Sequence, residues 1–165
     1  MARKVFRRGV TTTSTSVTDL GEVGDYRIEG DKKYRLVYTV ATQAAKAILQ
    51  IDSTDASLAS YQVQSVAASS STVFGVNDTG ASIAGSTYFW ALVQGPWVAD
   101  STVLGTDTDL VAEHAIGLNS DKRIGKILTV TSDHDTHIWG QAIVAVTSVA
   151  SLMGNKTILI KCMGA

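Results

Sequence analysis

Residues 33–40 set the period of the chain. Tyr34, Leu36, Tyr38 and Val40 alternate with Lys33, Arg35, Val37 and Thr39. That is the spacing of a half-buried strand, whose side chains point to opposite faces in turn. Tyr61, Val63 and Ser65 alternate with Gln62 and Gln64, and residues 72–76 make a short run that starts β-branched. Residues 87–94, TYFWALVQ, are apolar at both parities, which predicts a strand placed centrally or at a subunit contact. Gly95-Pro96 punctuates it, and Trp97-Val98 resumes an extended segment. Segments 124–131, 139–146 and 157–162 complete the predicted strands, and the clusters NDTG, GTDTD, NSDK, TSDHD and MGN divide the runs.

Helix signal is scarce. Residues 42–50, TQAAKAILQ, form the best candidate, with Ala44, Ala45 and Ala47 favouring helix and Thr42 placed to cap it. A strand over residues 47–51 competes with that helix. Many short strands with little helix predict a mainly β protein, a single antiparallel β-sandwich or β-barrel domain. No internal repeat and no second domain is evident in the sequence.

The first 18 residues follow a different pattern. Arg3, Lys4, Arg7 and Arg8 precede the first acid, Asp19, and Thr11 to Ser16 is an unbroken run of hydroxyl side chains. Hydroxyls compete for backbone groups, and the stretch has no sustained apolar face. The reading is an extended, basic, Ser/Thr-rich N-terminal arm over residues 1–18 and a β domain over residues 19–165. Alone, the arm should be mobile. Its β-branched part could pair with a sheet edge that a partner offers.

Charge sharpens this division. The chain carries 14 Lys and Arg against 15 Asp and Glu, net −1 over 165 residues. Four of the cations lie in the first eight residues, which leaves ten against fifteen acids, a net of −5, for the remainder. Arm and body have opposite signs, and the whole is not built for nucleic acid or an anionic membrane. One cysteine, Cys162, excludes an intrachain disulfide. No apolar run reaches the roughly 18 residues that cross a bilayer. The basic start has no apolar stretch behind it, unlike a signal peptide. These features predict a soluble protein that folds in a cytoplasm.

Candidate chemistry is thin. Asp133, His134, Asp135, Thr136 and His137 gather four potential ligands in five residues, but His134 and His137 would face opposite ways on a strand. Zinc also wants more distant further ligands. The segment reads as a polar hairpin tip that binds no metal needed for folding. Asp107 and Asp109 lack the ligand ladder of a calcium loop. His114, beside Glu113, has no nucleophile motif to serve. No catalytic residue and no cofactor is predicted. Tyr88, Phe89, Trp90 and Trp97 could line a sugar site, yet Phe89 must point away from Tyr88 and Trp90. Core or subunit contact is the preferred reading of these rings.

Two stretches carry a family resemblance. GEVGDYRIEGDKKYRLVYTV leads from glycines into a strand. AGSTYFWALVQGPWVADSTVL is followed by a long polar turn, RIGKI and HIWGQAIVAV. Over residues 21–146 the chain resembles the small β-rich decoration, or cement, proteins of tailed-phage heads, with Gly85, Tyr88, Trp90, Val93 and Gly95 at comparable places in the aromatic strand. Gly140 and Ala142 stand in a later strand of small residues. The resemblance implies a structural protein without enzymatic activity, made in the host cytoplasm and carried on the virion. It would bind the outer capsid surface and stabilise contacts between major capsid protein subunits. It also implies oligomerisation, and together with the doubly apolar segment 87–94 it predicts a homotrimer with Tyr88, Trp90 and Trp97 at the interface. Arg3, Lys4, Arg7 and Arg8 would then be a tether to the acidic surface of a shell subunit. Four charges without interleaved aromatics would bind nucleic acid only weakly. The competing reading is a β-sandwich glycan-binding module of lectin or fibre type, which has no use for the arm.

Overall fold

In the computed structural model, which describes residues 9–52, 61–67, 73–99, 115–118, 124–126, 140–142 and 156–162, the described residues form ten strands. They are β1 (Tyr26–Glu29), β2 (Lys32–Thr39), β3 (Ile48–Ile51), β4 (Val63–Ser65), β5 (Gly75–Val76) and β6 (Thr87–Ala99), then β7 (Ala115–Leu118), β8 (Ile124–Lys126), β9 (Gly140–Ala142) and β10 (Lys156–Lys161). All their pairings are antiparallel. The only helical turn among the described residues is a 3-10 turn, Val17–Asp19. The mainly β, antiparallel class is as the sequence predicts.

The turn chemistry of the first hairpin is local. Glu29 and Lys32 pair across Gly30-Asp31, and the positive φ, 60°, falls on Gly30 alone of the two. Glycine at the first central position of a two-residue loop suits the twist of a hairpin.

The long strand β6 organises everything else. One edge pairs with β2, from Thr39↔Thr87 to Lys33↔Gln94. The other meets Ser14 at Tyr88, β5 at Leu92 and β10 from Gln94 to Ala99. Beyond β5 the order is β3 then β4, and beyond β10 it is β9, β7 and β8. A parallel bridge, Tyr38↔Gln62, returns the chain beside β4 to β2, and Tyr38 N–H donates to Tyr61 C=O at 3.1 Å. The path β2–β6–β5–β3–β4 thus closes into a ring. Val37, Leu49, Val63, Phe74, Phe89, Ala91 and Val93 fill it as one buried cluster.

Strand β6 is apolar at both parities because both of its faces are covered, and a β-bulge exchanges the two faces part-way along it. Tyr34 faces Leu92, but Lys33 faces Gln94, so Val93 is the extra residue. Before it, Phe89 and Ala91 point into the ring while Trp90 and Leu92 point out. After it the parity flips, and Trp97 and Ala99 join Trp90 and Leu92 on the outer side. There they pack with Tyr34, Leu36, Ile158, Ile160 and Cys162, and Val10, Val17 and Leu20 of the leader cover the same cluster.

Two expectations are corrected. Residues 42–47 are a turn, not a helix, and the competing strand reading survives as β3. Gln43 exchanges both backbone hydrogen bonds with Ile83 at 2.9 Å, and Lys46 has φ 60°, a left-handed value that breaks a right-handed helix. Nor does Gly95-Pro96 interrupt β6. Val93 C=O accepts the Cys162 N–H at 2.8 Å, so odd-numbered residues offer their backbone groups to β10. Pro96 therefore turns its nitrogen, which has no hydrogen to donate, to the opposite edge, beyond the last β2 pairing.

Candidate functional site

Past the bulge, the sheet β1–β2–β6–β10 extends beyond the ring, with one face covered and the other left open by the described residues. Directly paired residues share a face. Ile28 pairs with Lys33, Lys33 with Gln94, and Gln94 with Lys161, a single row across four strands. Tyr26 pairs with Arg35 one step away, and Pro96 with Leu159 and Val98 with Thr157 follow on the other side. Tyr26 is 57% exposed, Ile28 64%, Val98 40% and Leu159 43%. These are four of the five large apolar side chains exposed among the described residues. Register places all four on one face.

Cations are interleaved with these side chains. The Lys33 ammonium lies 5.6 Å from the Tyr26 ring centroid and the Arg35 guanidinium 5.7 Å, within cation–π range. Arg35 also donates to Gly24 C=O at 2.9 Å, and Lys46 Nζ donates to Val98 C=O at 2.9 Å beside the patch. Lys161 is exposed at the end of β10. Among the described strand positions of this face there is no Asp or Glu. Arg27 and Glu29, which pair with each other, stand at the other parity of β1.

Buried polar contacts hold the surrounding loops. Lys32 Nζ and Tyr34 OH both donate to Asp78 Oδ2, at 2.8 and 3.2 Å, tying the first hairpin to the loop after β5. Burial, reinforced by the Asp78 carboxylate, pushes the Tyr34 phenol well above its ordinary range. Buried Asn77 donates to Ala44 C=O and Ala81 C=O at 2.8 and 2.9 Å. Buried Gln43 donates to Thr39 Oγ1 and accepts from Ser65 Oγ.

The residues singled out from sequence fare differently. Trp90 and Trp97 are buried in the chain's own core, so they have no side-chain surface to offer another subunit; the interface assignment is corrected to core for both. Tyr88 is half-buried and stacks on Tyr38 with ring centroids 4.7 Å apart. Phe89 points into the ring, so Tyr88, Phe89, Trp90 and Trp97 do not form one platform for a sugar. Arg3, Lys4, Arg7 and Arg8 lie outside the described residues, as do Asp107, Asp109, His114 and the segment 133–137. The open face escaped sequence reading because the bulge inverts the parity of β6. Val98 and Leu159 each sit in an apolar run, and only the register shows that they are on its outside.

No family model matches the chain, and no curated protein does. Its fold is similar to a solved structure described as the head fiber gp8.5 N base in bacteriophage phi29, with TM-score 0.50 and 12% sequence identity. The likeness covers 78% of this chain and 92% of that one. At that identity the shared property is the fold.

Proposed function

We propose that this chain is a structural protein of a phage particle, which binds the outer surface of the capsid and stabilises contacts between major capsid protein subunits. The observation that carries the reading is the fold shared with a head fiber base. The resemblance of its aromatic strand and hairpin to phage decoration proteins supports the same reading from sequence. The glycan-binding alternative loses its main support, because Phe89, Trp90 and Trp97 are interior.

In this reading the basic arm is a tether. Arg3, Lys4, Arg7 and Arg8 lie across an acidic shell subunit, and several copies, as a homotrimer, make modest contacts multivalent. The test is co-sedimentation with expanded empty capsids at rising salt. Wild type should co-sediment and weaken as salt rises; a variant with the four cations replaced by Gln should bind less and respond less to salt. Failure of the wild-type protein to co-sediment at any salt concentration would refute the reading.

A further inference from the structure

We infer that the open face of β1–β2–β6–β10 is the docking surface for a shell subunit, and that the subunit meets it with carboxylates set among apolar side chains. This rests on the capsid-binding reading above and names the surface that reading needs. Two features carry it. The apolar side chains Tyr26, Ile28, Val98 and Leu159 are gathered by register on one face although they come from three separate strands. Across the row Ile28, Lys33, Gln94 and Lys161 these apolar side chains alternate with cations on the same face, a mixed surface and not a scatter of single residues over several faces. The charges at the described strand positions of the face are all of one sign, Lys33, Arg35 and Lys161, on a body whose net charge from residue 9 onward is negative.

That charge pattern selects the occupant. Packing the face against its own copy about a two-fold axis would bring three cations to each side of the contact with no acid from the described strand positions of either, which is repulsive, and a three-fold assembly would need a different, acidic patch of the chain opposite it. A nucleic acid would satisfy the cations but has no aliphatic surface for Ile28, Val98 and Leu159. An acidic protein surface with apolar residues answers both halves. Apolar side chains interleaved with Lys and Arg on one face suit a protein interface, where aromatic rings and Arg are enriched.

The experiment uses the full-length chain and two paired variants, Val98→Thr with Leu159→Thr and Lys33→Glu with Lys161→Glu. Each is assayed by co-sedimentation with nuclease-treated empty capsids, with melting temperature and light scattering as controls. All four side chains are at least partly exposed, so melting and oligomeric state should match wild type. If either pair lowers the melting temperature, the single variants Val98→Thr and Lys161→Gln are read in its place. The expected result is binding about tenfold weaker or more for both pairs, since each removes contacts repeated over many copies. If wild type binds and the variants bind as tightly, the face is wrong while the capsid reading stands. If wild type does not bind, the capsid reading fails and the assigned occupant with it. A changed oligomeric state would assign the face to contacts between copies, and lost retention of DNA on a filter with capsid binding intact would assign it to nucleic acid; either overturns the inference.

Discussion

Ser14 and Tyr88 exchange both of their backbone hydrogen bonds: Ser14 N–H donates to Tyr88 C=O at 3.1 Å, and Tyr88 N–H to Ser14 C=O at 2.8 Å. Both backbone groups of Tyr88 are thus turned away from β2, whose ladder runs along the opposite edge of β6. The β-branched run finds its sheet edge within its own chain. Ser14 Oγ also donates to Asp19 Oδ2 at 3.0 Å, and Val10 and Val17 pack on the outer cluster with Tyr88.

That pairing separates two truncations. Deleting residues 2–8 should leave the melting temperature unchanged, because the removed segment precedes every contact just named. Deleting residues 2–16 should destabilise the body by about 2 kcal/mol, the sum of a lost bridge and lost Val10 burial. Thermal unfolding of both truncations decides it, and equal melting temperatures would mean that the Ser14 pairing contributes nothing.

Gly95→Ala should be among the most damaging small substitutions. Gly95 has φ 121°, and a Cβ there would lie 2.5 Å from Asp31 C=O, at the turn of the first hairpin. Strain at such a position costs about 1–3 kcal/mol before the clash is counted. The urea midpoint should fall with no change in slope; an unchanged midpoint would show that the hairpin can move aside freely.

Trp90→Ala and Tyr88→Ala should diverge. Trp90 is buried in the outer cluster, and its removal leaves a cavity worth about 3–5 kcal/mol. Tyr88 is half-buried, and its stacking on Tyr38 is worth about 0.5–1.5 kcal/mol. Denaturant titration measures both, and light scattering of the Tyr88 variant tests whether the exposed part of that ring holds an oligomer together. Similar losses for the two would contradict the burial difference.

The strands were legible where the pattern was local. The period of two over residues 34–40 finds β2, although both of its faces are covered, with Leu36 and Val37 buried in different clusters and Val40 exposed, and the hairpin before it is marked by Gly30-Asp31. Three features depended on partners distant in sequence. The ring closes through one parallel bridge, Tyr38 to Gln62, which leaves no periodic trace. Val93 looks like any other apolar residue of TYFWALVQ, yet as the bulge it decides that Trp97 is buried in the outer cluster and Val98 is exposed. Ala44, Ala45 and Ala47 favour helix, but the two bonds from Gln43 to Ile83 and the left-handed Lys46 override a weak propensity. The candidate docking face was hidden for the same reason, since its four apolar residues become neighbours only through the register of β1, β2, β6 and β10.

Stability should fall at alkaline pH in two stages. Burial pushes the Cys162 thiol far above its ordinary 9.0, and burial with Asp78 pushes the Tyr34 phenol far above its ordinary 10.0. Each group keeps its proton in the folded chain after the unfolded chain has released it. Unfolding then releases protons, so stability declines as pH rises, by up to about 1.4 kcal/mol per pH unit for each group. Below the ordinary values both states are protonated, and neither group contributes a slope. The first decline should therefore begin near pH 9 and belong to Cys162, and the second near pH 10 and belong to Tyr34. Urea midpoints from pH 7 to 11 measure both. Cys162→Ala should remove the lower stage, lowering stability at neutral pH by a constant amount for the lost packing. Tyr34→Phe should remove the upper stage and release one hydrogen bond from Asp78. Thiol labelling of the folded chain at pH 8 should be slow, because the reactive thiolate is suppressed as well as buried. A wild-type profile that stays flat from pH 8 to 10, or one whose lower stage survives Cys162→Ala, would place the thiol in water instead of beside Trp90 and Ile160 in the outer core.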